Sequence, residues 1–311
     1  MDSTRRNVQV ALLCALTLVM LGGCSVRKFT VNQTADLLYR GAPALERESD
    51  VEFARAALPA SLKTVETFLL SSPDNKQLLE LLGKGYFSYA FGFLEGDLER
   101  GQYEAMSEDD LRELNRRSVL HYLRARDYGF LLLDKSALEE AARGGDRDAL
   151  GAELSKLKKK DVPGLFWASY GWGAAINLSQ DNPDMVAGLS IVQQMMDRVI
   201  ELDDDYFYAG AHAFYGVTYA SMPPMAGGDL EKALQHFDIA LQRHGEYNMM
   251  LHYLKARFYV PAVQDRDYFI DTMEKVANAN IEGHPNVRLN NEIARERAIW
   301  WLGHIDELII E

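Results

Sequence analysis

The fold of this chain is organised around the stretch Asp161-Val-Pro-Gly-Leu-Phe-Trp-Ala-Ser-Tyr-Gly-Trp-Gly-Ala-Ala-Ile-Asn177. Asp161 is a residue type that caps helix N-termini, and Pro163 suits the first helical turn, where its missing N–H is not needed. These residues predict a helix that ends near residue 179. Large aromatic residues next to glycines on one helix indicate that other helices approach closely there, or that a ligand is held there.

The same stretch has the spacing of the first helix of a tetratricopeptide-type repeat, in which a small residue stands where a partner helix crosses. The matching patterns are Trp167-x₂-Tyr170-Gly171-x₂-Ala174, Leu79-x₂-Leu82-Gly83-x₂-Tyr86, Tyr208-x₂-Ala211-His212-x₂-Tyr215 and, for a second helix, Gly228-x₄-Ala233-x₃-Phe237-x₂-Ala240. No run alternates as a strand would. The chain is therefore predicted to be all-α, a single elongated solenoid of degenerate tetratricopeptide-like helical hairpins. An irregular helical bundle is the alternative.

Helix signals divide residues 51–311 into successive hairpins. A polar insertion is expected over residues 95–117, and a charged short helix plus loop over 134–160, with a break at Gly144-Gly145. The predicted helices cover residues 51–70, 76–95, 118–133, 161–179, 184–202, 206–219, 228–241, 248–263, 267–279 and 288–310.

The first 23 residues have the features of a lipoprotein signal peptide. Arg5 and Arg6 precede an apolar run at 8–20, which is short for a membrane span. Leu21-Gly22-Gly23-Cys24 then resembles the bacterial lipoprotein box, which predicts lipidation of Cys24. Ser25 after that cysteine favours the periplasmic face of the outer membrane. Residues 24–50 are expected to be a lipidated tether with a first helix at 34–38.

Composition limits the function further. The chain has 311 residues, a formal net charge of −13 and two cysteines. An acidic body argues against nucleic acid and anionic lipid surfaces as partners. Since Cys14 would leave with the signal and Cys24 would carry lipid, the mature domain is predicted to have no disulfide, no cysteine-based metal site and no cofactor.

The repeat register predicts a groove. Positions 2, 5, 9, 12 and 13 of each first helix face the concave side of such repeats. In the first unit these positions are mostly polar: Gln77, Glu80, Lys84, Phe87 and Ser88. In the next two units they are almost wholly apolar: Leu165, Ala168, Trp172, Ala175 and Ile176, then Tyr206, Ala209, Ala213, Gly216 and Val217.

An open groove of this kind suits an apolar ligand or an apolar peptide, and Trp172 is its first residue to test. The alternative is that neighbouring segments fill the groove as core. Asn177 and His212 are polar groups on the same two helices and complete the candidate ligand or partner site. A hydrogen-bonded packing role is the more ordinary one for a single histidine such as His212.

Enzyme motifs are absent from the sequence: it has no His-Glu-x₂-His, no phosphate-binding loop with Lys-Ser/Thr and no Gly-x-Ser-x-Gly. Asp203-Asp-Asp205 has the chemistry of a calcium ligand set, but a solvated turn that caps the next helix is the simpler interpretation. Ion pairs between helices account for the acidic and basic residues near Asp127 and Arg266. The sequence therefore predicts neither catalysis nor a metal.

Several longer motifs follow one another in order along the chain: Tyr122-x-Arg-Ala-Arg-Asp-Tyr-Gly129, Asp161-Val-Pro-x-Leu-Phe-Trp-Ala-x₃-Trp-Gly-x₂-Ile-x-Leu-Ser179, Leu202-Asp-x-Asp-Tyr206, Gly210-x-His212, Gly227-Gly-Asp-x₂-Lys-Ala-x₂-His-Phe-x₂-Ala-Leu241, Gln264-Asp-Arg-x₂-Phe269 and Arg288-Leu-x-Asn with Arg297-Ala-x-Trp-Trp-Leu302. Together they resemble the T component associated with tripartite ATP-independent periplasmic (TRAP) transporters, the TatT family. Asp204 stands where a proline is usual, and the loop at 222–225 is this sequence's own.

The resemblance implies a periplasmic lipoprotein with cryptic tetratricopeptide units that pairs with a TRAP-type substrate-binding protein and helps deliver a small, hydrophobic ligand, such as a hydrophobic acid. It implies no catalytic residues. A scaffold for outer-membrane assembly or peptide binding is the competing function. Homo-oligomerisation is left open.

Overall fold

The computed structural model describes residues 28–309 of the chain. The signal peptide and Cys24 lie outside these residues. Within residues 28–309 the protein is all-α, as predicted, with no strand. In the same range, no helix is both long and apolar enough to cross a bilayer.

Seventeen helical segments follow one another along the described chain, counted with short pieces and with helices interrupted by π-turns. They are α1 (28–41), α2 (Pro43–Glu46), α3 (Val51–Leu69), α4 (Lys76–Tyr89), α5 (Glu95–Gly101), α6 (Glu108–Leu133), α7 (Ser136–Gly144), α8 (Arg147–Leu154), α9 (Val162–Asn177), α10 (Pro183–Ala187), α11 (Leu189–Asp203), α12 (Tyr206–Ser221), α13 (Leu230–His244), α14 (Met249–Leu254), α15 (Val260–Val263), α16 (Arg266–Ala277) and α17 (Arg288–Leu302).

Local capping explains several of the boundaries. The side chain of Asn75 accepts a hydrogen bond from the N–H of Leu78 and begins α4, where the sequence predicted a helix start. Asp161 behaves differently from the prediction, because it makes no side-chain cap to α9. Its carboxylate instead accepts the N–H of Lys158 at 2.9 Å and closes the 3₁₀ turn that precedes α9. The helix begins where predicted, with a different cap geometry.

The predicted polar insertion at 95–117 is wrong, because most of it is helical. Three of its acidic residues, Glu108, Asp109 and Asp110, stand in the first turn of α6, where they face the positive end of the helix dipole. Ser107 caps that turn by accepting the N–H of Asp110. The polar character of this segment is therefore that of a helix start, which acidic residues stabilise.

Two π-helical turns divide helices that the sequence predicted to be continuous, at 76–95 and 248–263. One covers Ala90–Leu94 and joins α4 to α5, and the other covers Lys255–Tyr259 between α14 and α15. Pro261 follows the second turn and has no N–H for the regular ladder. The predicted first helix at 34–38 is also longer, since α1 runs through residues 28–41.

Helices pack side by side with helices that lie close to them in the sequence: α4 with α6, α6 with α9, α9 with α11, α12 with α13, and α16 with α17. The tightest crossing is between α6 and α9, at Gly129, Gly164 and Gly171. A Cβ on Gly171 would lie 2.6 Å from the carbonyl oxygen of Tyr122. The sequence correctly predicted a close helix approach here. Whether the pairs stack with tetratricopeptide geometry stays a prediction.

The neighbour at this crossing differs from the one expected. In the repeat pattern the partner helix is the next one along the chain, so the sequence predicts that Trp167, Tyr170 and Gly171 pack against the helix expected at 184–202. The ring of Tyr170 instead stacks on Phe87 of α4 with a centroid separation of 4.2 Å, and Gly171 lies against α6. The reason is steric, because only a glycine face allows two helix backbones to touch. Gly164 and Gly171 of α9 are therefore directed at α6.

Candidate ligand cavity

A cavity of about 740 Å³ lies between the N-terminal helices, α4 and the C-terminal third of the described chain. That volume falls within the range of small-molecule sites. Its wall is dominated by aliphatic and aromatic side chains: Leu37, Leu38, Leu45, Phe53, Leu58, Leu62, Val65, Leu81, Phe87, Phe91, Phe93, Met250, Leu251, Leu254, Leu289 and Ile293. Leu37 and Phe53 are 71% and 62% exposed, so they mark its mouth.

Helices α1 and α2 form one wall of this cavity. They are held to α4 by a row of polar contacts. The Asn32 side chain accepts from Asn75 at 2.9 Å, and the Gln77 amide donates to Asp36 at 3.1 Å. The segment expected to be mainly a tether is thus packed against the domain.

The row continues along α4 towards the cavity. The Tyr39 hydroxyl donates to Glu80 at 3.0 Å, and Lys84 pairs with Glu46. Gln77, Glu80 and Lys84 are three of the polar concave positions of the first unit, and in the structure they bind the N-terminal helices.

Glu80 links α1 to α12, two helices that contribute residues to the cavity wall. It accepts hydrogen bonds from Tyr39 of α1 and from Tyr206 of α12, the latter at 3.3 Å. Burial, and then the negative charge of Glu80, raise the pKa of Tyr39 to about 12. The same two causes raise the pKa of Tyr206. Both phenols therefore stay protonated at neutral pH and act as donors.

Lys84 is the one lysine or arginine among the described residues that line the cavity. Its ammonium group is paired with Glu46 and lies 5.5 Å from the centre of the Phe207 ring. The lining also contains the carboxylates of Glu46 and Glu48. Glu48 accepts the backbone N–H groups of Ser49 and Asp50, so its carboxylate is already engaged by its own loop.

Three amide side chains line the cavity near its C-terminal wall. Asn290 donates to Asn248 at 3.2 Å, and Asn286 accepts from Arg47 at 3.2 Å. Amides offer both donors and acceptors without charge. This part of the wall can therefore bind a neutral polar group.

The start of α12 forms another part of the wall in an unusual backbone conformation. Phe207, Tyr208 and Ala209 have left-handed φ values of 51°, 58° and 57°. Phe207 and Tyr208 line the cavity, and the Phe207 ring packs edge-on against Trp167 at a centroid distance of 4.8 Å. Such a turn is costly for residues with a Cβ, and here it directs two aromatic rings towards the cavity.

A buried ionic cluster supports the opposite wall. Arg297 donates to the carbonyl oxygen of Phe91 in the first π-turn, and its guanidinium lies 4.9 Å from the Phe91 ring. Glu99 pairs with Arg257 of the second π-turn. Burial raises the pKa of the nearby Glu95 carboxyl, which accepts the hydroxyl of Tyr122. Two arginines thus compensate two acids behind the cavity wall.

The residues predicted to form the groove lie mostly elsewhere. Among those named for the candidate site, Ala213 alone lines the cavity. The others are buried or half-buried in helix contacts: Leu165, Ala168, Trp172, Ile176, Asn177, Tyr206, Ala209, His212 and Val217. Ala175 and Gly216, at two further concave positions, are also buried. Core packing therefore fills the expected groove, which was the alternative left open by the sequence.

Trp172 illustrates the physical reason. It is 8% exposed, and the guanidinium of Arg126 on α6 lies 5.4 Å from its ring. On its other side the indole faces Gly188, where a Cβ would be 3.2 Å away. Because α6 and the start of α11 both cover this face of α9, replacing Trp172 would disturb the core rather than test a ligand surface.

His212 is a packing histidine in the structure. Its Nδ1 lies 2.9 Å from Nδ1 of His236, so one ring donates and the other accepts. Burial, followed by the charge of Arg243, lowers the pKa of His212. Burial and the neighbouring His212 lower the pKa of His236 to about 4. Both rings are therefore neutral at physiological pH. Asn177 accepts a hydrogen bond from Gln180 near the end of α9.

The three aspartates before α12 are paired with basic groups. Asp203 lies 3.0 Å from Lys159, Asp204 lies 2.7 Å from Arg243, and Asp205 lies 2.7 Å from Nε2 of His244. Over residues 28–309, no group of three or more histidine, cysteine or acidic side chains is arranged to hold a metal ion.

Sequence reasoning missed the residues that do line the cavity. Lys84, Phe87 and Ser88 were in the concave register but were set aside because their unit is mostly polar. Phe53 and Ile293 come from helices that the repeat pattern did not connect. The repeat register of the first unit could have identified part of this site, because its polar concave positions require hydrogen-bond partners from another segment.

Comparison with known proteins gives two further findings. A family model described as TRAP transporter T-component matches residues 47–309. An uncharacterized protein of Treponema pallidum (strain Nichols) is 24% identical over 332 aligned positions, which cover 98% of this chain and 99% of that protein.

Proposed function

The chain belongs to the TRAP transporter T-component family, and from that premise we propose that its cavity holds a small apolar ligand in exchange with a TRAP-type substrate-binding protein. Membership associates the protein with the TRAP transport system and indicates a location in the cell envelope. The family comprises transporter accessory components rather than enzymes. The observation that carries the proposal is the largely apolar cavity of about 740 Å³.

The mouth of the cavity suggests how the two proteins meet. Leu37 and Phe53 are exposed, apolar and part of the cavity wall. Exposing the apolar surface of a ligand to water costs free energy. A binding protein that seals this rim would receive the ligand without that exposure. The proposed docking surface is therefore the rim that contains Leu37 and Phe53.

The remaining features complete the proposal. Lipidation of Cys24 would anchor the protein at the periplasmic face of the outer membrane, with α1 beginning within a few residues of the anchor. The successive helix pairs would stack as degenerate tetratricopeptide-like units, with the cavity on their inner side. A tetratricopeptide-type scaffold for peptides or assembly factors stays the competing function.

Docking is tested with the Leu37→Asp variant and a TRAP-type substrate-binding protein from the same organism. Calorimetry should show at least about tenfold weaker binding, because a carboxylate would be buried at an apolar rim. Leu70→Asp is the matched control, since Leu70 is 84% exposed and does not line the cavity. Equal affinities for the two variants would reject this docking surface.

Ligand binding is tested separately with the neutral dye N-phenyl-1-naphthylamine and the cavity-filling variant Ser88→Phe. The added ring would occupy part of the cavity, so dye binding should fall by about tenfold or more. Ser155→Phe, at an exposed position beyond the cavity, should bind the dye as the wild type does. Undiminished binding by Ser88→Phe would refute the assignment of this cavity.

A further inference from the structure

We propose that Glu46 is an internal counter-ion that neutralises Lys84, so that the cavity selects amphiphiles with an uncharged polar head over carboxylates. This inference rests on the proposed ligand role and names the class of ligand. It concerns a residue just before the region matched by the family model, which begins at Arg47.

The charges in the cavity wall disfavour an anionic ligand. The described lining contains one cation, Lys84, and two carboxylates, Glu46 and Glu48. An anionic head would therefore enter a wall with an excess of negative charge. Glu80 adds a further carboxylate next to Lys84 along α4, one turn before it, and is bound to Tyr39 and Tyr206.

Lys84 is not an unpaired cation. Its ammonium is already bound by the Glu46 carboxylate and lies over the Phe207 ring. The side chains of Lys84 and Glu46 are 35% and 23% exposed. Because Glu46 already balances the charge of Lys84, a ligand carboxylate would gain less from this cation than from an unpaired lysine. It would still have to lose its own hydration.

Three asparagine side chains can hydrogen-bond a polar ligand head. Asn248, Asn286 and Asn290 face the same cavity and form only partial hydrogen-bond sets with one another and with Arg47. Each amide has two donor hydrogens and an acceptor oxygen. These groups can satisfy a hydroxyl, ester or amide head, whose desolvation costs less than that of a carboxylate.

Glu46 is therefore the specificity-determining residue of this assignment. It lies at the end of α2 and reaches Lys84 across the cavity wall. If Glu46 were uncharged, Lys84 would become an unpaired cation beside an apolar cavity, which is a favourable environment for a ligand carboxylate. The Glu46→Gln substitution should thus change which ligand is preferred while leaving the apolar wall intact.

The test uses octan-1-ol and octanoate, titrated by calorimetry into the full lipidated chain at one fixed detergent concentration and at about pH 8, where octanoate is ionised. The wild type should bind octanol at least about tenfold more tightly than octanoate. In the Glu46→Gln variant the ratio of octanol affinity to octanoate affinity should be about tenfold lower than in the wild type, because bound octanoate can then pair with Lys84. Identical micelles in every titration remove the contribution of partitioning from the comparison.

Glu48→Gln is the matched control. It removes the same charge from the same wall, but Glu48 is engaged by backbone N–H groups rather than by Lys84. Its effect on the ratio should be clearly smaller than that of Glu46→Gln. Thermal melting of both variants checks that the fold is retained.

The outcomes are distinct. A wild-type preference for octanoate, or equal ratios in wild type and Glu46→Gln, would overturn the role of Glu46 while leaving the cavity as a ligand site. Equal effects of the two glutamine variants would also overturn it, since overall charge rather than the Lys84 pair would then set the preference. Failure of both amphiphiles to bind would reject the proposed ligand function itself.

Discussion

Replacing Gly129 with alanine should destabilise the protein, although alanine is the better helix former. Gly129 lies inside α6, where it touches the backbone of α9. A Cβ at this position would lie 2.2 Å from the backbone nitrogen of Ala168 and 2.7 Å from its Cα. Backbone atoms cannot rotate away as a flexible side chain can. The helices would have to separate by roughly 1 Å to restore ordinary contact.

Two opposing effects set the magnitude. Alanine instead of glycine in a helix interior contributes about 1 kcal/mol in favour of folding. Overpacking a close contact costs about 1–3 kcal/mol, and more where backbone must move. The displacement of α9 would also loosen the packing of Trp167 and Tyr170 on α4. We expect a net loss of about 2 kcal/mol, which corresponds to a melting temperature about 4–8 °C lower.

Thermal unfolding followed by circular dichroism measures this effect. Gly144→Ala is the matched control, because Gly144 belongs to α7 and a Cβ added there would meet no neighbouring atom within 4 Å. It should be neutral or stabilising by up to about 1 kcal/mol. A Gly129→Ala protein that melts at or above the wild-type temperature would refute the close contact between α6 and α9.

Two further predictions concern single residues. Asp134 ends α6 with a left-handed φ of 55°, a conformation that costs less for glycine than for a residue with a Cβ. The Asp134→Gly substitution should therefore stabilise the protein by about 0.5–1 kcal/mol. Urea unfolding should show a higher midpoint, and an unchanged or lower midpoint would contradict the strain at Asp134. The lowered pKa of His236, about 4, favours the neutral ring in the folded state, so its contribution is present above the unfolded pKa of about 6.5 and is lost as the pH falls towards 4. The wild type should therefore lose stability when the pH falls from 7 to 5, and the His236→Asn variant should lose about 1–2 kcal/mol less. Denaturant titrations at the two pH values measure both losses, and equal losses would contradict this origin of the acid sensitivity.

The sequence alone determined the helical class and many boundaries, because caps and apolar spacing act over a few residues. Asn75 begins α4 and Pro163 stands in the first turn of α9, as their local chemistry predicts. The glycines near the centre of the chain also indicated a close helix contact correctly. Local polarity was less reliable, since the segment 95–117, predicted to be a polar insertion, contains the start of α6 at its acidic residues 108–110.

Only the tertiary structure decided which surfaces those helices share. An amphipathic pattern states that a face is buried, but it does not state against which neighbour. Trp172 and Leu165 therefore read as groove residues in the sequence and are core residues in the fold. The cavity could not be read from any one stretch, because its wall joins residues as distant as Leu37, Phe87 and Ile293. The tertiary structure also shows that the polar face of α4 binds Tyr39 and Glu46. The sequence could not show this, because a polar residue has the same pattern whether it is hydrogen-bonded to water or to another helix.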